Sequence, residues 1–156
     1  MTSSLQDPND VHALKCELAA EVLRSCGILR LRVTGWSMLP AVWPGDTLLV
    51  ESAGPGTTRE GDIVLFGVER RLFVHRVVKD LGDSRFLTRG DAMCAPDPII
   101  DGNQLLGRVS SIQRNGRRIA PRRRRSVSDR AIAGLVRNSQ IAARVLVGVR
   151  GRHQIS

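Results

Sequence analysis

The apolar positions of this chain change period at residue 28. Upstream, in VHALKCELAAEVLRS (residues 11–25), Leu14, Leu18, Val22 and Leu23 recur at intervals of three and four, which predicts a helix with one apolar stripe. Asp10 is placed to cap its start and Gly27 to stop it. From residue 28 the period becomes two. ILRLRV sets Leu29, Leu31 and Val33 on one face and Arg30 and Arg32 on the other, as in a half-buried strand. Further short apolar runs follow at 47–51, 62–66, 71–78, 84–88 and 105–113. Turn signals separate them: Pro44-Gly45-Asp46, Gly54-Pro55-Gly56, Gly61-Asp62 and Gly82-Asp83. The pattern predicts a mainly β fold of short strands and tight turns.

Past this region the pattern changes again. RRIAPRRRR (117–125) reads as a basic linker, and residues 126–149 as a second helix. Arg123, Arg130, Arg137 and Arg144 recur every seven residues, which keeps the last three on one slowly drifting helical face. Three segments are therefore expected: an N-terminal helical segment (1–27), a β domain (28–115), and a basic linker with a C-terminal amphipathic helix (116–156).

Charge sharpens the division. Residues 116–156 hold eleven Arg and one acid, a net +10, while residues 1–115 hold thirteen basic against fourteen acidic residues, a net −1. The total of +9 thus belongs to the tail, which is the part suited to meet an anionic surface. Such a helix either lies in a membrane interface or packs its apolar side on the β domain. Aromatic residues make up 3% of the chain and there is no Tyr, which disfavours a stacking platform for nucleic acid; no base-reading module is apparent. Three cysteines without CxxC spacing argue against a disulfide framework or a structural zinc, and free thiols suit a reducing compartment. No secretory signal and no spanning run of about 18 apolar residues is seen, so a cytoplasmic or peripheral membrane location is expected.

Candidate chemistry starts in GWSMLPAVWPGD, beginning at Gly35. Ser37 sits in a loop stiffened by Pro40, which fixes its own φ and restrains Leu39. A serine hydroxyl closes a turn as readily as it attacks a carbonyl, and becomes a nucleophile only beside a base. Of the three histidines, His75 lies inside the apolar strand VHRVV, on the face of Phe73 and Val77. It is either a structural histidine or that base. TRGDAMCAPD then offers Asp91 and Asp97, either of which could orient an imidazole or simply form a turn.

Taken in order, GWSMLPAVWPGDTLLVE, GDIVLF, VHRVV and LTRGDAMCAPD resemble the type I signal peptidase superfamily, which includes the self-cleaving domains of LexA-type repressors; the resemblance spans roughly residues 29–113. His75-Arg76-Val77 matches the branch with a histidine base rather than a lysine. The resemblance implies a signal-peptidase/LexA-like β fold and a serine endopeptidase that cleaves leader or signal-type peptides, with Ser37 as nucleophile and His75 as general base. Asp91 and Asp97 both match acids of the family pattern, and the choice between them stays open. Met38 and Pro40 shape the loop and the backbone N–H of Ser37 is an oxyanion donor. Gly35 stands where many relatives carry a serine, so backbone donors must suffice, and Trp36 is expected to line or crowd the substrate groove. The expected partner is a peptide or preprotein, with an anionic membrane surface for the Arg123, Arg130, Arg137 and Arg144 face; no metal or organic cofactor is implied. Asp62 is expected to be a turn residue. The competing expectations are a LexA-like self-cleaving regulator and a non-catalytic peptide- or membrane-binding module of the same fold.

Overall fold

A computed structural model describes residues 8–124 and 127–138, apart from the side chains of residues 127 and 136–138. The chain opens with helix α1 (Pro8–Cys26), followed by β1 (Ile28–Arg32), β2 (Thr47–Ser52), a 3-10 turn at Pro55–Thr57, β3 (Ile63–Val68), β4 (Arg71–Gly82), β5 (Arg85–Arg89), β6 (Ile100–Asp101), β7 (Leu105–Arg114), β8 (Arg117–Ile119) and α2 (Val127–Asn138). The strands form one antiparallel sheet in the order β1-β2-β7-β3-β4-β5-β6, with β8 hairpinned onto β7. This is the mainly β architecture that the period-two pattern predicts. No helix among the described residues is long and apolar enough to cross a membrane.

Strand β3 shows how alternation divides the interior. Ile63 and Leu65 join Leu48, Val50, Val109 and Ile112 in one cluster. Val64 and Phe66 face the other way, into a second cluster with Val77, Phe86 and Ile100. With both faces buried, β3 reads as a continuous apolar run. Each such side chain removed from water contributes about 1.5–3 kcal/mol.

Tight turns set the strand register. Glu69-Arg70 joins β3 to β4, Asp83-Ser84 joins β4 to β5 and Asn115-Gly116 joins β7 to β8, all with positive φ. Paired positive φ at the two central residues matches the twist of the flanking strands. The Asn-Gly pair placed β8 inside the stretch expected to be a linker: Arg114 faces Arg117 across the hairpin. Two-residue β6 was also unexpected, since so short a run carries no periodicity.

Helix α1 stops where the sequence indicates. Gly27 has φ +73° and its N–H donates to the Leu23 carbonyl at 2.9 Å, a left-handed cap that spares a side-chain clash. Its start differs from expectation: Pro8 begins the helix and Asp10 lies in its first turn, where a carboxylate favours the N-terminal dipole. Its buried side also differs. Ala13, Ala19 and Leu23 are buried, whereas Leu14 and Leu18 are exposed. The small residues permit close approach to the sheet: a Cβ at Gly67 would lie 2.8 Å from Cys16 Sγ. The helix packs against both β1 and β4. The strand pairings leave the outer edge of β1, and one edge of β4 before Arg76, without a partner strand.

The tail is tied to the body. Ile132 of α2 packs with Leu39, Trp43 and Ala92, and Ala133 is fully buried. Arg123 donates from Nε to Asp62 Oδ1 at 2.7 Å, so this member of the arginine row engages the β domain. Arg130 is exposed, Arg137 lies in α2, and Arg144 with the rest of the expected helix falls outside the described residues. Asp62 is the turn residue expected, accepting the Arg59 N–H at 2.9 Å.

Docking of α1 is testable through its thiol. Burial, and secondarily the Glu17 carboxylate, push the Cys16 thiol above its ordinary pKa, while Cys26 and Cys94 are exposed. Since the thiolate is the reactive form, mass-spectrometric mapping of alkylation near pH 8 should find Cys16 several-fold slower than the other two, with the lag abolished in denaturant. Equal rates in the folded protein would contradict this packing.

Candidate active site

Three segments converge at one end of the sheet. The loop between β1 and β2 carries Ser37. It is fixed by the burial of Met38, Leu39 and Val42, and by bonds from Leu39 N–H to the Trp36 carbonyl (3.1 Å) and from Val42 N–H to the Met38 carbonyl (3.0 Å). The Leu39–Pro40 peptide is cis. Trp43 Nε1 donates to the Pro40 carbonyl at 2.8 Å. The Pro-Gly-Asp turn that closes the loop is pinned by Asp46, which accepts the Trp43 N–H at 2.7 Å and pairs with Arg114 at 2.6 Å.

Strand β4 carries His75, buried and paired in register with Val64. The rings of Phe66 and Phe73 each lie 6.0 Å from the imidazole, so the ring sits in an apolar setting on the face that alternation assigns it. The segment after β5 carries Asp91 and Asp97.

The Ser37 hydroxyl lies 3.0 Å from His75 Nε2, and Asp97 Oδ2 lies 2.7 Å from His75 Nδ1. A carboxylate only accepts, so the ring donates Nδ1–H to Asp97 and leaves the Nε2 lone pair facing the hydroxyl. Thr88 donates to the same Asp97 oxygen at 2.7 Å, and the Asp97 N–H donates to the Thr88 carbonyl at 2.8 Å. This carboxylate is therefore held from both ends.

The choice between the two acids is thus decided by geometry. Asp91, a candidate for orienting the histidine, is fully occupied otherwise. Arg76 Nε and Nη2 donate to its two oxygens at 2.8 and 2.7 Å, with both side chains buried. Arg76 Nη1 donates further to the carbonyls of Gly61 (2.7 Å) and Arg122 (2.6 Å). Asp91 thus fastens a buried guanidinium, next in sequence to the histidine, while Asp97 takes the ring.

Thr88 and Gly90 are residues that sequence reasoning passed over, and Arg76 entered it only as a motif neighbour of His75. Thr88 shares the buried face of β5 with Phe86, a position where a hydroxyl needs a polar partner. Gly90 carries no side chain because the Ser37 loop lies on it: a Cβ there would stand 2.6 Å from the Ser37 carbonyl oxygen, which accepts the Ala92 N–H at 2.8 Å. The glycine before Asp91 was the available signal.

A groove of about 730 Å³ opens at this site, between α1, β1, the Ser37 loop and β4. Gly35, Ser37, Met38 and His75 line it. Trp36 does not, contrary to expectation; it is exposed at the surface, and Pro40 is buried within the loop and does not line the groove. A Cβ at Gly35 would meet nothing within 4 Å. Among the described residues no His, Cys, Asp and Glu side chains cluster in threes able to hold a metal ion.

An antiparallel sheet that brings a serine loop and a histidine strand together at one groove, with an acidic segment on the far side of the imidazole, defines the signal-peptidase/LexA-like class. The chain belongs to the Peptidase S24-like family, whose model matches residues 6–112. It is also similar to the signal peptidase complex catalytic subunit SEC11C of Homo sapiens, Mus musculus and Canis lupus familiaris, with 45% identity over 65 residues in each case. That stretch covers 38% of this chain and 34% of each relative, so the chain matches about a third of those proteins' length.

The two acids should separate in a thermal melt. Removing one partner of a buried ion pair costs about 3–5 kcal/mol. Asp91→Ala, which strands Arg76, should lower Tm by on the order of 10 °C, whereas Asp97→Asn, which keeps an acceptor for the ring, should move it by only a few degrees. Equal shifts would refute the division of labour.

Proposed function

We propose that this protein is a serine endopeptidase that cleaves leader or signal-type peptides. The observation that carries the reading is the continuous hydrogen-bonded line Ser37–His75–Asp97 at the end of an open groove. Membership of a peptidase family and similarity to a signal peptidase subunit support it.

The chemistry follows from the proton positions. Ser37 Oγ attacks the scissile carbonyl while its proton passes to Nε2, and Asp97 steadies the imidazolium that forms. The tetrahedral intermediate collapses as Nε2–H is delivered to the departing amine, leaving an acyl group on Ser37. Water then attacks the ester with the same base, and the serine and the new carboxylate are released. The backbone N–H of Ser37 is one donor to the oxyanion; Gly35 adds no hydroxyl. The substrate enters as an extended strand between the unpartnered edges of β1 and β4, drawing main-chain hydrogen bonds from both. Family resemblance points to small side chains beside the cleaved bond.

The self-cleaving alternative rests on the family match alone, and one assay decides between them. Purified protein is incubated with a panel of leader peptides, and both the peptides and the chain itself are followed by mass spectrometry. Wild type should cut added peptides. Ser37→Ala and His75→Ala should each lose on the order of 10³-fold or more in kcat/KM. Cutting confined to the chain itself would favour the regulator; binding without cutting by any form would favour a non-catalytic module.

A further inference from the structure

The groove has an electrostatic character that its catalytic end does not explain. Four basic side chains line it: His12 and Lys15 from α1, Arg32 from the end of β1 and Arg71 from the start of β4. No acid lines it, and the rest of the lining is mostly apolar, including Leu18, Val22 and Leu31. Several arginines elsewhere in the body are neutralised by an acid. Arg76, Arg114, Arg108 and Arg123 each face a carboxylate of Asp91, Asp46 or Asp62. The ion pairs formed among the described residues include none of these four side chains.

Helix α1 shows the same segregation. Its own acids, Asp10, Glu17 and Glu21, are outside the groove lining. Glu21 is turned to its own helix, where the Ser25 hydroxyl and then the Arg24 guanidinium hold its carboxyl below the usual range. His12 and Lys15, three residues apart, share a helical face. That face looks onto the groove, and Leu18, one turn further on, is exposed along it. An exposed leucine beside unpaired cations is poorly explained by packing of α1 alone, and well explained by an amphipathic occupant.

The cations also have a defined reach. Strands β1 and β4 both run toward the catalytic end. Arg71 lies four residues before His75 on an extended strand, a separation of about 13 Å. A peptide strand laid alongside β4 brings the residue four to six positions from its scissile bond level with Arg71 and the basic side chains of α1.

We propose that the groove selects peptides carrying an acidic side chain four to six residues from the cleaved bond, read by Arg71, Lys15 and His12 across an apolar floor. This rests on the peptidase reading for the position of the scissile bond. Charge complementarity of this kind sets specificity and encounter rate, and it disfavours a substrate whose groove-bound segment is basic.

The test uses twenty-residue peptides with an alanine-rich centre, identical except for a single Asp, Asn or Lys placed four, five or six residues before or after the central alanine. Two measurements are made. Binding to the Ser37→Ala protein is read by fluorescence anisotropy, and cleavage by wild type is read as kcat/KM. At low salt Asp should exceed Asn, and Asn should exceed Lys, each by about three- to tenfold, on one side of the centre. The spread should collapse at about 0.5 M salt. Lys15→Glu with Arg71→Glu should invert the order. Charge-blind binding at low salt, or an unchanged order in the double variant, would overturn the proposal, whether or not the peptides are cut. Charge-ordered binding with no cleavage of any peptide would instead sink the peptidase reading and leave the acidic preference standing.

Discussion

The structure depends on two adjacent residues of β4 that each take an acid from one segment. His75 and Arg76 point to opposite faces of the strand, and the segment after β5 supplies Asp97 to the first and Asp91 to the second. The ring contact sets the tautomer. The guanidinium contact, buried and bidentate, fastens the segment that carries both carboxylates. That segment in turn supports the Ser37 loop through Gly90 and the Ala92 N–H. A buried Arg–Asp pair is no strong source of net stability, since desolvation offsets most of its attraction. Its value here is positional: broken on one side, it leaves an uncompensated charge next to His75.

The parts outside the sheet serve the same end. Helix α1 covers the gap between β1 and β4, where two unpartnered strand edges would otherwise invite pairing with another chain. Covering them loosely, with Ala13 and Ala19 inward and Leu18 outward, keeps a groove beside the serine. The tail is more than an appendage. Strand β8 extends the sheet, the Arg122 carbonyl accepts from Arg76, and Ile132 packs on Leu39 and Trp43 of the Ser37 loop. Truncation at residue 116 would therefore disturb the site itself.

Much of this was legible in the chain. Period-two runs located six of the eight strands, and the ordered blocks around Ser37, His75 and the two acids singled out the residues that the fold brings together. What could not be read follows from physical causes. Asp91 and Asp97 are the same residue type in one loop, and only the third dimension shows which meets an imidazole and which a guanidinium. The stripe on α1 misled because a helix over a groove buries its small residues and exposes large ones. Strand β8 was hidden by charge: Arg117 and Arg118 on an exposed hairpin look like linker, and only Asn115-Gly116 betrays the turn. The cationic lining of the groove joins residues 12, 15, 32 and 71, which no local pattern connects.

The central claim is that Asp97 holds the ring with its proton on Nδ1 and a bare Nε2 toward Ser37. Nitrogen-15 NMR of histidine-labelled protein, at a pH where the ring is neutral, observes this directly, with His75 assigned by comparison with His75→Ala. The account predicts a protonated Nδ1 hydrogen-bonded to a carboxylate and an unprotonated Nε2, with the Nδ1 signal displaced in Asp97→Asn. A proton found on Nε2, or a His75 spectrum indifferent to Asp97→Asn, would contradict it.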